Sequence, residues 1–477
     1  MSDTDLKKKW FNNYKSASVQ LEKMSDVNGL ISAFNANIDA VIKVSGVKIE
    51  ELIAKFNFNQ EELLEQGDRN IVKVEDAFRG FINCFKGGIA EEWLIQDKET
   101  FDWLNTHLGY DHMQMGGQGG IVANVMGVCK VNPVYVHGAS IPKEQASLFL
   151  NLDNLQSVGK DGDLKKASEI SRDNDIPLIH WIIEFDKGDR MTINGETLIC
   201  PKSNRFIATY DPLNFRLHID EDFANAMSKP EINNDFIILS GYQMLTEKFS
   251  DGDKGIDRID SSMEIVKKWK ENNPNSILHF EIASTQDKVI RKYLLDKLAP
   301  VSDSIGFNER ELIDLLEVMG EKDLAEACEN NTNSTNLFKG MLKVFDYTNC
   351  PRLQLHMFGL YVTLQKKGLK VSPLQNRNGM QLAAVIAATK AGTGSINSYE
   401  KLLWAKDKPV SDIGLEELSN LSDFITDEFG ENELTDTGIY KTKNIELIAV
   451  PTIIIDKPIT LVGMGDTISS ISLVAAK

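Results

Sequence analysis

The run Gly463-Met464-Gly465-Asp466 follows a short apolar run over 458–462, which reads as a strand, and opens a segment of helical character. Two glycines one residue apart let backbone N–H groups turn toward one point at a helix N-terminus, where an anion is stabilised. A carboxylate beside such an anion hole is placed to accept a proton, so Asp466 reads as a general base. A helix N-cap after a tight turn has the same appearance, and aspartates of that kind are common. Two more acidic motifs favour the chemical reading. In Leu278-His279-Phe280-Glu281, strand alternation puts His279 and Glu281 on one face. In Asn308-Glu309-Arg310-Glu311, the first and last residues lie three apart at the start of a helix and share a side. Carboxylates and an amide near strand ends are hard oxygen ligands suited to Mg²⁺, which is commonly held through water and substrate phosphates. The plainer alternative makes His279 a core histidine that positions Glu281, and Glu311 a first-turn acid favoured by the helix dipole.

Earlier in the chain, Asn37 and Asp39 fall on the same side of a strand, and Gly116-Gly117-Gln118-Gly119-Gly120 precedes a helix running through Asn124. Amides, carboxylates and exposed backbone N–H groups are what the hydroxyls of a sugar need, although a lone Asn-x-Asp or a glycine cluster is more often a turn.

The elements that must hold these groups follow an α/β pattern, with short β-branched runs alternating with helix-like stretches. Strands are expected over 29–35, 134–137, 236–240, 277–282, 304–307, 353–357 and 446–451, and helices over 262–272, 286–298, 334–345, 380–391 and 415–429. Two regions break the rhythm: 178–210, which reads as consecutive strands with an Asn194-Gly195 hairpin, and a less regular stretch over 38–117. Both are assigned to one smaller lid. The expected division is 1–37 in the large domain, 38–117 in the lid, 118–177 in the large domain, 178–212 as a lid insertion, and 213–477 in the large domain with the nucleotide site.

Composition narrows the function classes. With 42% hydrophobic and 26% charged residues, the 477-residue chain can bury a large core, but its apolar runs are far too short to span a bilayer. Basic residues near the N-terminus have no apolar segment behind them, so no secretory signal is expected and the protein is assigned to the cytoplasm. The five cysteines form no Cys-x-x-Cys pair, which argues against a zinc knuckle or a disulfide framework. A net charge of −18 disfavours nucleic acid and anionic membranes, so any phosphate site must be local. No Walker A run ending in Gly-Lys-Ser or Gly-Lys-Thr occurs, which favours an anion hole over a P-loop.

Taken together, Asn-x-Asp at 37–39, Gly-Gly-Gln at 116–118, Asn204-Arg205-Phe206-Ile207, His-x-Glu at 279–281, Asn-x-x-Glu at 308–311 and Gly-x-Gly-Asp at 463–466 resemble the ADP-dependent sugar kinases, the archaeal glucokinases and phosphofructokinases of the ribokinase-like superfamily. The motifs run in one order over nearly the whole chain. The resemblance implies a large, doubly wound, mostly parallel sheet domain with a smaller β-rich lid, and ADP as phosphoryl donor with AMP as product. It implies Asp466 as base, Gly463 and Gly465 as the anion hole, and Glu281 and Glu311 around Mg²⁺ or another divalent cation. Asn37, Asp39, Gly117 and Gln118 would hold sugar hydroxyls, Arg205 would meet the nucleotide phosphates, and Asn308, His356, Tyr361 and Val450 would contact the nucleotide.

The resemblance also bears on the acceptor. Glucose-using members place a lid glutamate on the sugar, and Gly87-Gly88-Ile89-Ala90-Glu91-Glu92 offers one, with Glu92 the better match and Glu91 the fallback. Lys187, Arg190 and Lys202 lie near Arg205 in sequence and could serve a sugar phosphate. Activity is expected on fructose 6-phosphate, giving fructose 1,6-bisphosphate, and also on glucose, in a monomer or small homo-oligomer acting in glycolysis. The rivals are a glucokinase alone, an ATP-using ribokinase-like sugar or nucleoside kinase, and a non-catalytic sugar sensor.

Overall fold

The computed structural model describes residues 3–67 and 69–477. Its larger sheet has a parallel centre in the spatial order Leu155–Val158, Asn132–Val136, Asn28–Ala33, Phe236–Leu239, Ile277–Glu281, Ser304–Phe307 and Arg352–His356. Antiparallel strands close its edges, Leu164–Lys166 on one side and Leu360–Lys366, Ile445–Pro451 and Ile439–Lys441 on the other. The fold class is therefore α/β, as the sequence predicts. Phe236–Leu239 and Ser304–Phe307 are buried at every position, which is why they read as continuous apolar runs: helices cover both faces of a parallel sheet.

Asn28–Ala33 lies between strands that continue to either side of it, Asn132–Val136 and Phe236–Leu239. The strand order reverses there, and a crevice opens beyond the carboxyl ends of these strands. Gly241, two residues past the Phe236–Leu239 strand, adopts φ +93° and packs against Asn35, keeping the crevice floor tight.

A second sheet has the order Asn70–Ile71, Glu91–Ile95, Asn204–Tyr210, Ile179–Phe185, Asn37–Lys43 and His112–Gly116. One face buries Trp93, Trp181, Phe185 and Phe206 with Phe81 and Phe85 of the helix Val74–Gly87, a core separate from that of the large sheet. The Asn194-Gly195 hairpin forms between Arg190–Ile193 and Glu196–Ile199, and both turn residues have positive φ, as a tight primed turn requires.

The structure departs from the sequence reading in three places. The apolar run 458–462, expected as a strand, is irregular and leads into the Gly463 turn. The irregular stretch after residue 38 contains the helices Gly46–Phe56, Val74–Gly87 and Lys98–His107. Their β-favouring aromatic residues are held helical by packing, because tertiary burial outweighs local propensity. The strand Leu360–Lys366 was not anticipated either; it folds back from Arg352–His356 through a turn at Gly359, whose φ is +89°.

Candidate active site

The final helix, Met464–Val474, starts at Gly463, which adopts φ +61° and makes no side-chain cap. Asp466 therefore sits in the first turn rather than at the cap. The first backbone N–H groups of a helix lack intrahelical acceptors, so those around Gly465 are available to an anion. Asp466 is half-buried, and burial raises its pKa, while a hydrogen bond from Gln118 and the charge of Lys390 oppose that rise. Gln118 begins the helix Gln118–Val128 behind Gly117, whose φ is +74°, and its Oε1 accepts the Gly241 N–H at 3.3 Å. The amide is thereby oriented with its NH₂ toward Asp466. Carboxylate, amide and crevice meet at the topological switch.

Behind Asp466 lies a chain of buried polar groups. Arg352 Nη1 donates to Ser304 Oγ at 2.8 Å, Ser304 Oγ lies 3.0 Å from His279 Nδ1, and His279 Nε2 lies 3.0 Å from Glu281 Oε2. A serine hydroxyl that accepts from arginine has its own proton left for His279 Nδ1, which fixes the proton of the ring on Nε2, facing Glu281. The neutral ring this requires agrees with a His279 pKa lowered to about 3 by burial and by the charge of Arg352. Ser469, one helical turn past Asp466, also donates to Glu281 Oε2. Glu281 is raised to about 7, chiefly by burial, with His356 and Ser469 opposing and Asp466 adding to the rise. Glu311 is raised well above the ordinary range by burial and by the charges of Glu281 and Asp466. Its Oε2 accepts the Asn308 N–H at 2.8 Å, and Asn308 Oδ1 accepts the Glu311 N–H at 3.0 Å, so the pair caps the helix Glu309–Met319. The structural role considered for Glu311 is thus present, and the charges of Glu281 and Asp466 still reach it.

Asp466 raises both glutamates and Glu281 raises Glu311, so the three buried carboxyl groups form a site that a cation would relieve. Among the described residues, however, no three His, Cys, Asp or Glu side chains converge as a direct metal-ligand set. Carboxylates standing singly suit Mg²⁺ that keeps its water.

Beside them is a cavity of about 510 Å³ lined by Asn308, His356, Tyr361, Ala387, Ile453 and Gly465 among others. His356 Nδ1 is buried without a partner, and His356 Nε2 lies 3.6 Å from Glu281 Oε1. A Cβ on Gly465 would stand 3.0 Å from His356 Nε2, so the glycine permits this approach. Val450 is fully buried in its strand and does not line the cavity; Thr452 and Ile453, just beyond it, do.

The second sheet supplies the facing wall. Asp39 pairs in register with His180, and His180 with Thr209; Ile207 pairs with Glu92. Residues two apart in a strand share a face, so Asp39, His180, Thr209, Glu92 and Arg205 lie on the face opposite the aromatic core. Asn37 Nδ2 donates to Asp39 Oδ1 at 2.8 Å, and a Cβ on Gly116 would stand 2.1 Å from that oxygen. Thr209 Oγ1 donates to Glu92 Oε1 at 2.7 Å. His180 Nε2 lies 3.1 Å from Asp211 Oδ2, and its Nδ1 lies 3.8 Å from Glu92 Oε1. Burial opposes a charge on His180, but Asp211, Glu92 and Asp39 outweigh it and raise its pKa to about 9. Glu91 turns the other way, pairing with Arg69 at 3.0 Å and accepting from Trp93 Nε1. Arg205 is exposed on the Glu92 face, and Lys187, Arg190 and Lys202 are exposed as well.

Sequence reasoning did not single out His180, Thr209, Asp211, Ser469, Arg352 or Lys390. For Ser469 a signal existed, since it stands three residues after Asp466 on the same side of a helix. The partners of the others are distant in sequence.

Comparison with known proteins agrees with this geometry. Residues 28–475 match the family model described as the ADP-specific phosphofructokinase/glucokinase conserved region. The chain is 30% identical to the ADP-dependent glucose/glucosamine kinase of Pyrococcus furiosus, over 97% of each protein. It is 28% identical to the ADP-specific phosphofructokinase of Methanosarcina acetivorans, over 95% of this chain and 94% of that one. Among solved structures, it superposes on the last common ancestor of ADP-dependent phosphofructokinases from Methanosarcinales with a TM-score of 0.87 at 30% identity, covering 100% of this chain and 99% of that one. An ADP-dependent kinase in complex with fructose-6-phosphate and ADPβS gives a TM-score of 0.82 at 28% identity, over 100% and 98% of the two chains. By its motifs, its fold and its match to the family model, the chain belongs to the ADP-specific phosphofructokinase/glucokinase family.

Proposed function

We propose that the protein transfers the β-phosphoryl group of ADP to fructose 6-phosphate and to glucose, releasing AMP. The observation that carries this reading is the contact of Gln118 with Asp466 at the start of a glycine-led helix, with a partly apolar cavity on one side and the Asp39–His180–Glu92 face on the other. A sugar seated on Asn37, Asp39, Gly117 and Gln118 presents a hydroxyl to Asp466, which accepts its proton as the oxygen attacks. Phosphoryl transfer in line leaves little covalent work for the protein beyond positioning and charge neutralisation. The N–H groups from Gly463 to Gly465 receive the transferring group. Asn308, His356 and Tyr361 bound the adenosine cavity, and Val450 supports it from the core. Glu281 and Glu311 would hold Mg²⁺ through water, and the ion bound with ADP would supply neutralisation of phosphate charge.

Residues 38–117 and 178–212 act as a lid on the large domain, and closure brings Arg205 to the nucleotide phosphates. Among the described residues no helix is long and apolar enough to cross a membrane, which accords with work on small dissolved substrates in the cytoplasm.

Reading the acceptor rests on Glu92, which hydrogen-bonds Thr209 and faces His180. A charged hydrogen bond to a sugar hydroxyl is worth roughly 1.5–3 kcal/mol. Glu92→Ala is therefore expected to lower kcat/KM for glucose about thirtyfold and to alter that for fructose 6-phosphate much less. Initial rates of AMP formation with each sugar, and with ADP against ATP as donor, test both halves of the proposal. Equal losses on the two sugars would remove Glu92 from the selectivity, and turnover with ATP alone would overturn the choice of donor.

A further inference from the structure

Lys390, on the helix Pro373–Thr393, is a cation beneath the anion hole that no motif points to. Its Nζ donates to the Gly463 carbonyl at 3.1 Å and to Thr467 Oγ1 at 3.3 Å. A Cβ on Gly463 would stand 3.0 Å from Nζ, so the ammonium touches the glycine turn itself. Neither contact explains why a lysine is there. The Gly463 carbonyl already accepts the Thr467 N–H at 3.2 Å and the Thr467 hydroxyl at 2.8 Å. No carboxylate among the described residues forms an ion pair with Lys390. Its position is also unfavourable for a resting protein, because the N-terminus of a helix is the positive end of its dipole and a cation there is repelled. Burial lowers the Lys390 pKa to about 8, and the charges of Asp466 and Asp39 hold it up, so the ammonium remains charged at neutral pH. Burial and the helix dipole oppose the ammonium there and the two carboxylates only partly offset them; an anion seated over the turn adds the attraction that is missing.

We propose that Lys390 is a positioning and charge-supplying residue for phosphoryl transfer, holding the Gly463 turn in place and lending its positive charge to the anion hole from below. The inference rests on the functional reading above and names a residue that the family motifs do not include. Charge held ready at the point where a transition state needs it acts on the chemical step more than on ground-state binding.

The test compares Lys390→Met and Lys390→Arg with the wild type by AMP formation from ADP and by thermal unfolding. Lys390→Met is expected to lower kcat about fiftyfold, with KM for ADP and sugar changed less than about threefold and Tm unchanged or higher. Lys390→Arg, which keeps the charge, is expected to recover most of kcat. A drop in Tm together with kcat in Lys390→Met, without recovery in Lys390→Arg, would make Lys390 a structural residue and overturn the proposal. Full kcat in Lys390→Met beside an active wild type would overturn it too, while leaving the functional reading intact. A wild type that releases no AMP from ADP would overturn that reading, and this inference with it.

Discussion

Replacing Asp466 with asparagine is expected to lower kcat about a thousandfold while leaving KM for ADP and sugar within about threefold, the pattern of a lost general base. Asparagine keeps the shape of the side chain and can still accept a hydrogen bond from Gln118, so the Gln118 orientation set by Gly241 survives. What it cannot do is take a proton. The pH dependence separates this from damage to the fold. The Asp466 pKa is raised from 3.8, and a base works only when deprotonated, so the wild-type rate falls as pH drops through that raised value. The sign for stability is opposite. A carboxyl whose pKa is higher in the folded state binds more protons folded than unfolded, and stability is lost as pH rises from the unfolded value through the folded one. Above that window the ionised Asp466 burdens the fold, and it also raises Glu281 and Glu311. Asp466→Asn removes the burden, so its Tm at neutral pH is expected to equal or exceed that of the wild type. Initial rates and thermal unfolding of the same preparation check both. A kcat within tenfold of wild type would mean that another group takes the proton.

How far the sequence reaches into this site depends on whether a feature is local. Gly463-x-Gly-Asp466 is a turn and a helix start in consecutive residues, and the motif is visible because glycine spacing and helix geometry act over four positions. The same holds for Asn308 and Glu311, and for the strand parity that puts His279 beside Glu281. The parallel strands were legible for a related reason: burial on both faces leaves uninterrupted apolar runs such as Phe236–Leu239. Features made by register between distant segments were not. His180 joins Asp39 and Glu92 only because four strands, from residues near 40, 180, 207 and 92, lie side by side in that order. No short-range signal marks it. Arg352 reaches Glu281 through Ser304 and His279, a path across three adjacent strands. Nor does any spacing rule link Lys390 to Gly463, 73 residues away. The choice between Glu91 and Glu92 illustrates the boundary: both match the sequence, and only the pleat shows that Glu91 turns to Arg69 and Trp93 while Glu92 turns to His180.

The bare backbone at Gly306 gives the other large expected effect. Glu281 and Gly306 are partners in the parallel register of their strands, and the carboxylate lies across the glycine to meet Ser469. An added Cβ would stand 2.0 Å from Glu281 Oε2 and 2.4 Å from Ser469 Oγ. Neither neighbour has room to retreat, since Glu281 is 5% exposed and Ser469 1%. Gly306→Ala must therefore push Glu281 out of its bonds with His279 and Ser469. Overpacking of this kind costs about 1–3 kcal/mol, and loss of the groups that orient a metal-organising carboxylate weakens metal binding 10–100-fold. The half-saturating Mg²⁺ concentration is expected to rise toward the upper end of that range, about a hundredfold, together with a lowered Tm. Ser469→Ala provides the control, because it deletes one donor without adding an atom and leaves the His279 bond at 3.0 Å in place. Its Mg²⁺ requirement is expected to rise less, with little change in Tm. If Gly306→Ala lowered Tm while both variants kept the wild-type Mg²⁺ dependence, Glu281 would be a buried structural acid, and the negative charge that draws the metal would have to come from Glu311 and the nucleotide alone.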